Sequence, residues 1–310
     1  MTPTAIAFLG ESMIEIRDGY DSAPQSYAGD TVNTAIYLKR LWQLNSNKVS
    51  YITGLGEDSN SQGMIALWLK EKINTDLVFQ FNNLMPGIYR IKTDELGERE
   101  FSYDRSNAAA RYIFDHPDII KLKQQINDFQ YIFLSGISVA ILPLKDRLEL
   151  IELLKSYKEK GGQVIFDNNY RNQLWESPAE AKCWFDQIIP LCDICMLSYD
   201  DEIKVYGQHS AYECLIRISA MGVNEIILKR GGESCFVSNN GHISENRLKP
   251  VTRVIDSTAA GDSFNAGYLA SRLTGSSIEK SIATGHKLAS AVIAYPGAII
   301  PTEAMPDLAT

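Results

Sequence analysis

Tyr131-Ile132-Phe133-Leu134, Val164-Ile165-Phe166-Asp167 and Ile194-Cys195-Met196-Leu197 are three short apolar runs, and the text between them, Leu144–Lys160 and Ala179–Leu191, carries apolar residues at helical spacing. Runs this short and this uniformly apolar read as strands covered on both faces, the situation of a parallel sheet clothed by helices. Working outward, the same alternation predicts strands at Ala5–Leu9, Val49–Thr53 and Glu225–Leu228, and helices at Thr31–Trp42, Gln62–Lys72 and Ala211–Met221. The class is α/β, with a mainly parallel central sheet flanked by helices. No internal repeat or low-complexity linker divides the text, so one large domain over 1–310 is expected.

Gly87 to Arg105 breaks this rhythm. Two runs rich in aromatic and β-branched residues flank Asp94-Glu95-Leu96-Gly97, which reads as a hairpin about a four-residue turn. Polar and apolar residues alternate along it, so one face is wet, and the pair belongs beside the main sheet rather than in it. Glu15–Tyr27 is a source of further strands. The expectation is a small β-sheet lid built from about 12–30 and 85–106, whose exposed edge offers a route to a homo-oligomer.

The chain has 310 residues, 45% hydrophobic and 22% charged, enough to bury a large core. Its formal net charge of −8 argues against nucleic acid as partner, because such binding rests on a basic face. An acidic small molecule stays open, provided local arginines outweigh the global field. No run approaches the roughly 18 apolar residues of a membrane helix, and Met1–Ala7 lacks a secretory signal, so a cytoplasmic location is expected. Five cysteines do not suggest a disulfide framework, and Cys192-x-x-Cys195 has no second pair to complete a zinc site. The four histidines are scattered, and no resident metal site is expected from them.

Chemistry concentrates in Asp256-Ser257-Thr258-Ala259-Ala260-Gly261-Asp262, followed by helical spacing over Phe264–Leu273. Consecutive small residues let a backbone approach a ligand closely, and amides at a helix start make an anion cradle. A carboxylate at Asp262 is placed to take a proton from a hydroxyl that attacks a bound phosphate. Helix capping by Asp256 or Asp262 is the plainer reading, and it leaves the run of small residues unexplained.

That run resembles the D-T-x-G-A-G-D signature of the ribokinase, or phosphofructokinase-B, family of carbohydrate kinases, with Ser257 for the commoner Thr and Ala259 for the usual first Gly. Ala28-Gly29-Asp30-Thr31-Val32-Asn33 resembles the family's N-terminal glycine motif, whose Asp and Asn bond sugar hydroxyls; capping of the helix at Thr31 is the alternative for Asp30. Within the family the text is most similar to the 2-keto-3-deoxygluconate kinases, through these segments and through Pro86–Tyr89, Tyr103-Asp104-Arg105 and Asp167–Arg171.

The resemblance implies a ribokinase-like fold and ATP-dependent phosphorylation of an acidic sugar, with Mg²⁺ and room for a monovalent cation. It implies Asp262 as general base and Ala259, Ala260 and Gly261 as the anion hole. Gly29, Asp30, Asn33, Tyr89, Tyr103, Arg105 and Arg171 would bind the sugar, the two arginines at its carboxylate. Asn169, Ser198, Lys229, Gly231 and Gly232 would join Ala259 and Gly261 at the nucleotide. Either arginine could equally form a surface ion pair, Tyr89 a half-buried strand aromatic, and Gly231-Gly232 an ordinary turn. The family's Asn-x-x-Glu motif corresponds to Ser198–Glu202, which leaves Asp201 and Glu202 as candidates for its acidic member.

Three competing functions remain. A fructokinase or ribokinase would share all but the arginines, a sugar-binding sensor would leave Asp262 without a task, and a nicotinamide oxidoreductase would need a glycine fingerprint that Gly54–Ser59 lacks.

Overall fold

The computed structural model describes residues 3–17, 26–42, 46–93, 99–249, 251 and 253–308. In chain order its strands are β1 (Ala5–Leu9), β2 (Met13–Arg17), β3 (Ser26–Ala28), β4 (Lys48–Gly56), β5 (Asn74–Phe81), β6 (Ile88–Thr93), β7 (Arg99–Asp104), β8 (Tyr131–Ser135), β9 (Gln163–Asp167), β10 (Ile194–Ser198), β11 (Glu225–Arg230), β12 (Ser234–Asn239) and β13 (His242–Arg247). One sheet runs β13-β12-β11-β10-β9-β8-β1-β4-β5, parallel from β11 to β5 and antiparallel only at β12 and β13.

The uniformly apolar strands have the cause inferred from the sequence, because each feeds two cores. Ile6, Phe8, Phe133, Ile165, Met196 and Ile227 point to a core shared with the helices Asp30–Leu41, Ala260–Arg272 and Ile278–Val292. Their neighbours Ala7, Leu9, Ile132, Leu134, Val164, Phe166, Cys195 and Leu197 point to the opposite core, against the helices Leu144–Glu159, Pro178–Ile188 and Ala211–Ala220. Side chains that alternate across a strand make this division automatic.

Three strands went unread in the sequence. β5 is an edge strand opening on Asn74-Thr75-Asp76, too polar to register as an apolar run. β12 and β13 form a hairpin about Asn240-Gly241, both with positive φ (48° and 81°), a dipeptide that signals this turn. The helix expected from Phe264 starts at Ala260, since Ala260–Ser263 are small and show no apolar period.

A second sheet, β3-β2-β6-β7, stands apart from the first. The β6–β7 hairpin is in register from Ile88↔Asp104 to Thr93↔Arg99, and its expected turn at 94–97 lies outside the described residues. The sheet's apolar face, Met13, Ala28, Tyr89 and Ile91, packs on Ala298 with Ala259 alongside, which brings it over the start of the helix Ala260–Arg272. No helix among the described residues is long and apolar enough to cross a membrane.

Candidate active site

The helix Ala260–Arg272 enters from a left-handed residue, Ala259 at φ 59° and ψ 17°. The loop before it is braced by Asp256, whose Oδ1 accepts from the Thr258 amide (3.0 Å) and hydroxyl (2.7 Å) and whose Oδ2 accepts from the Gly297 amide (2.8 Å). Behind it the helix lies tight on Ile278–Val292, where a Cβ on Gly267 would stand 2.8 Å from the Gly285 Cα. First-turn amides have no acceptor within their own helix, and a Cβ built on Gly261 would meet nothing nearer than Lys229 Nζ at 3.9 Å. The helix start is therefore an open donor cradle on a fixed base, of the size and polarity that a phosphate group fits.

Asp262, in the first turn, accepts from Asn33 Nδ2 at 2.8 Å. Burial deep in the cleft pushes its carboxyl up to about 8; the neighbouring Asp30 and Asp167 charges reinforce the shift, while the Asn33 bond and the Arg171 charge oppose it. Asp30 is the first residue of the helix Asp30–Leu41, not its cap: Gly29 precedes it without a side-chain bond, and Asp30 Oδ2 instead accepts from Asn169 Nδ2 at 2.8 Å. Burial raises the Asp30 carboxyl as well. Gly29 is required by close approach, since any Cβ there would lie 2.1 Å from the Glu11 carbonyl oxygen.

These groups open into one cavity of about 1470 Å³ between the carboxyl ends of the main strands and the small sheet. Every residue singled out above for the sugar, the nucleotide or proton transfer lines it. Tyr89 donates to Glu15 and stacks at 6.2 Å on Tyr103. Arg105 donates through Nη2 to the buried Glu11, so one arm of its fork is already engaged. Arg171 is exposed and donates to the Tyr170 carbonyl oxygen at 3.4 Å.

On the other side, Lys229 Nζ donates to Asn265 Oδ1 (2.9 Å) and to Asp167 Oδ2 (3.3 Å). Ser198 caps the helix Tyr199–Tyr206. Asn169, expected at the nucleotide, donates to Asp30, expected at the sugar.

Of the two acidic candidates after Ser198, only Asp201 reaches the cavity, beside Asp200. Glu202 is fully buried on the far side of its helix turn, bonded to Arg217 and Cys214. Burial raises its carboxyl against the pull of Arg217.

The fold also gathers Glu202, His209 and Cys214, whose possible ligand atoms lie within 4.8 Å of one another, a grouping invisible in the linear spacing. Arg217 already occupies the Glu202 oxygen there, so a cation would face a guanidinium bonded to one of its three ligands.

Sequence reading missed Glu11, which bonds Arg105 behind the cavity wall, and in the lining itself Arg111 and an apolar slot of Leu248, Val251, Val254, Ala289 and Ile293. Glu11 follows β1 at a strand's carboxyl end, the position where α/β sheets build their sites. Nothing in the local pattern marks Arg111 or the slot.

The model of the family described as pfkB family carbohydrate kinase matches residues 10–305. A 2-dehydro-3-deoxygluconokinase of Dickeya dadantii is 45% identical over 309 residues, covering 99% of this chain and all of the relative. Among solved structures, the Thermotoga maritima 2-dehydro-3-deoxygluconokinase superposes with a TM-score of 0.82 at 20% identity, covering 96% of each chain. An Escherichia coli protein described as ribokinase II, in complex with ATP and Mg²⁺, does so at 0.78 and 19% identity, covering 99% of this chain and 96% of that one.

Proposed function

The chain belongs to the pfkB family of carbohydrate kinases, and from that premise we propose that it transfers the γ-phosphoryl group of ATP to the 6-hydroxyl of 2-keto-3-deoxygluconate (2-dehydro-3-deoxygluconate). The observation that carries this reading is the meeting of two motifs in one cavity: Asn33, from the glycine motif, bonds Asp262, from the anion cradle, beside three arginines suited to an acidic sugar.

In this reading the sugar lies under the small sheet, which acts as the lid. Asp30, Asn33 and Gly29 hold its hydroxyls, Tyr89 and Tyr103 cover it, and Arg105 and Arg171 face its carboxylate. The adenine occupies the apolar slot of Leu248, Val254 and Ile293, and the triphosphate runs past Gly231, Gly232, Ser198 and Lys229 to the helix start. Magnesium, when bound, neutralises the phosphate oxygens, and Asp167, Asp200 and Asp201 are the carboxylates that reach this side of the cavity.

Asp262 takes the proton of the 6-hydroxyl as that oxygen bonds the γ-phosphorus; the bond from phosphorus to the bridging oxygen breaks, and ADP leaves with the electron pair. Amides around Ala259–Gly261, of which the Ala260 amide also donates to the Ser257 carbonyl oxygen at 3.2 Å, hold the charge gathering on the transferred oxygens, an effect of about 3–4 kcal/mol per donor in comparable sites. The lid excludes water that would compete as acceptor.

A panel of keto-deoxy, hexonic and neutral sugars with Mg·ATP tests the proposal. The keto-deoxy acid should give the highest kcat/KM; a preference for fructose or ribose would replace it.

A further inference from the structure

Beside Glu11 the cavity holds a guanidinium, Arg111, that no acceptor among the described residues bonds. Glu11 is buried and bonded to Arg105 through one oxygen, while its other oxygen has no hydrogen bond among the described residues and its charge is eased through space by Arg111. Asp30 is held by Asn169, and Asp262 by Asn33. Arg111 also lines the cavity, yet its side chain has no hydrogen bond or ion pair among the described residues, and its Nε is buried without a partner. It is only half-buried overall, so its fork is not sealed in the core.

Leaving a guanidinium partly desolvated without a bonded acceptor is costly, and here the backbone that carries it is anchored. Arg111 sits on the 3-10 turn Ala109–Asp115, which the Ala109 amide ties to the Met85 carbonyl oxygen at 2.9 Å. The same turn lies so close on β4 that a Cβ on Gly54 would come within 2.4 Å of the Ala109 carbonyl oxygen.

We infer that Arg111 is a specificity-determining residue of this site, binding the carboxylate of the acidic sugar that Arg105, already partnered by Glu11, cannot neutralise alone. The inference rests on the acidic-sugar reading above. A carboxylate has the planar, two-pronged acceptor geometry that an arginine fork matches. A neutral sugar would leave Arg111 as it stands in the empty protein and gain nothing from it.

The test compares wild type, Arg111→Ala and Arg111→Lys on 2-keto-3-deoxygluconate and on D-fructose, with thermal midpoints of each protein alone and with the acid but no ATP. Arg111→Ala should raise KM for the acid about 10- to 100-fold, the range of a lost hydrogen bond to a charged group. KM for fructose should change less than about 3-fold, and the midpoint rise caused by the acid should shrink at the same acid concentration. Arg111→Lys keeps the charge but not the fork and should fall between; it is the variant to read if Arg111→Ala does not fold. Equal losses on both sugars, or an unchanged KM for the acid, would overturn the role of Arg111 while leaving the kinase reading intact. A wild type that ignores the acid would overturn both.

Discussion

Asn33 Nδ2 donates to Asp262 Oδ2 at 2.8 Å, tying together two residues 229 positions apart in the chain. The bond holds the proposed base by the oxygen that faces the sugar motif, and it offsets part of the penalty that burial and Asp30 impose on the ionised carboxylate. Loss of Asn33 should therefore be felt at Asp262. Asn33→Leu is expected to move the half-point of the rise in activity with pH upward, in addition to weakening sugar binding, and a pH–rate profile of the variant checks it.

Asp262→Asn keeps the shape and can still meet Asn33, but it cannot accept a proton. Turnover should fall by about 10²–10⁴-fold, the range for a lost general base, while binding of the sugar, read by calorimetry, stays within about 3-fold of wild type. Near-normal turnover would remove Asp262 from the role.

The pH dependence of the wild type follows from the same group. A base acts in its ionised form, and the Asp262 carboxyl is pushed up to about 8, so kcat/KM should climb with pH and level off above about 8. For stability the sign reverses. The folded carboxyl keeps a proton that the unfolded chain has released above its ordinary value near 3.8, so its contribution falls as pH rises from there to about 8. Melting curves at pH 5 and pH 9 should show Asp262→Asn gaining most over wild type at pH 9.

Ala259 occupies the left-handed region at φ 59°, which costs an L-residue about 1–2 kcal/mol. Ala259→Gly should raise stability by up to about 1 kcal/mol, because the greater freedom of glycine in the unfolded chain returns part of the gain, with activity retained. Ala259→Val, β-branched and facing the cavity, should lose both stability and nucleotide affinity. Denaturant midpoints and the KM for ATP measure the two effects.

Arg217 is the only cation that an ion pair brings to Glu202, a carboxylate with no exposed surface, among the described residues. Arg217→Ala strands that charge and should cost about 3 kcal/mol, the low end for a broken buried pair because the arginine itself is partly exposed. Burial already raises the Glu202 carboxyl, so the loss should shrink in acid, where the group takes up a proton. Adding Glu202→Gln should recover part of it, and a lack of recovery would count against the pair as the cause.

Much of this protein was legible in the linear text, because the causes are local. Six apolar runs without alternation require cover on both sides, and Ile6 and Phe8 against Ala7 and Leu9 show how one short strand supplies two cores. The small residues of Ser257–Gly261 and the carboxylate of Asp262 could be read as a cradle with a base beside it, since backbone access and proton affinity are properties of residue types.

Tertiary structure alone decided which partners those groups meet. Asn169 bonds Asp30, Arg105 is answered by Glu11, Asp201 rather than Glu202 reaches the cavity, and Arg111 stands beside them without a hydrogen bond among the described residues. Such pairings join residues far apart in the chain, so no periodicity records them. A charge acquires its effect only when folding fixes how much water and which opposite charge surround it.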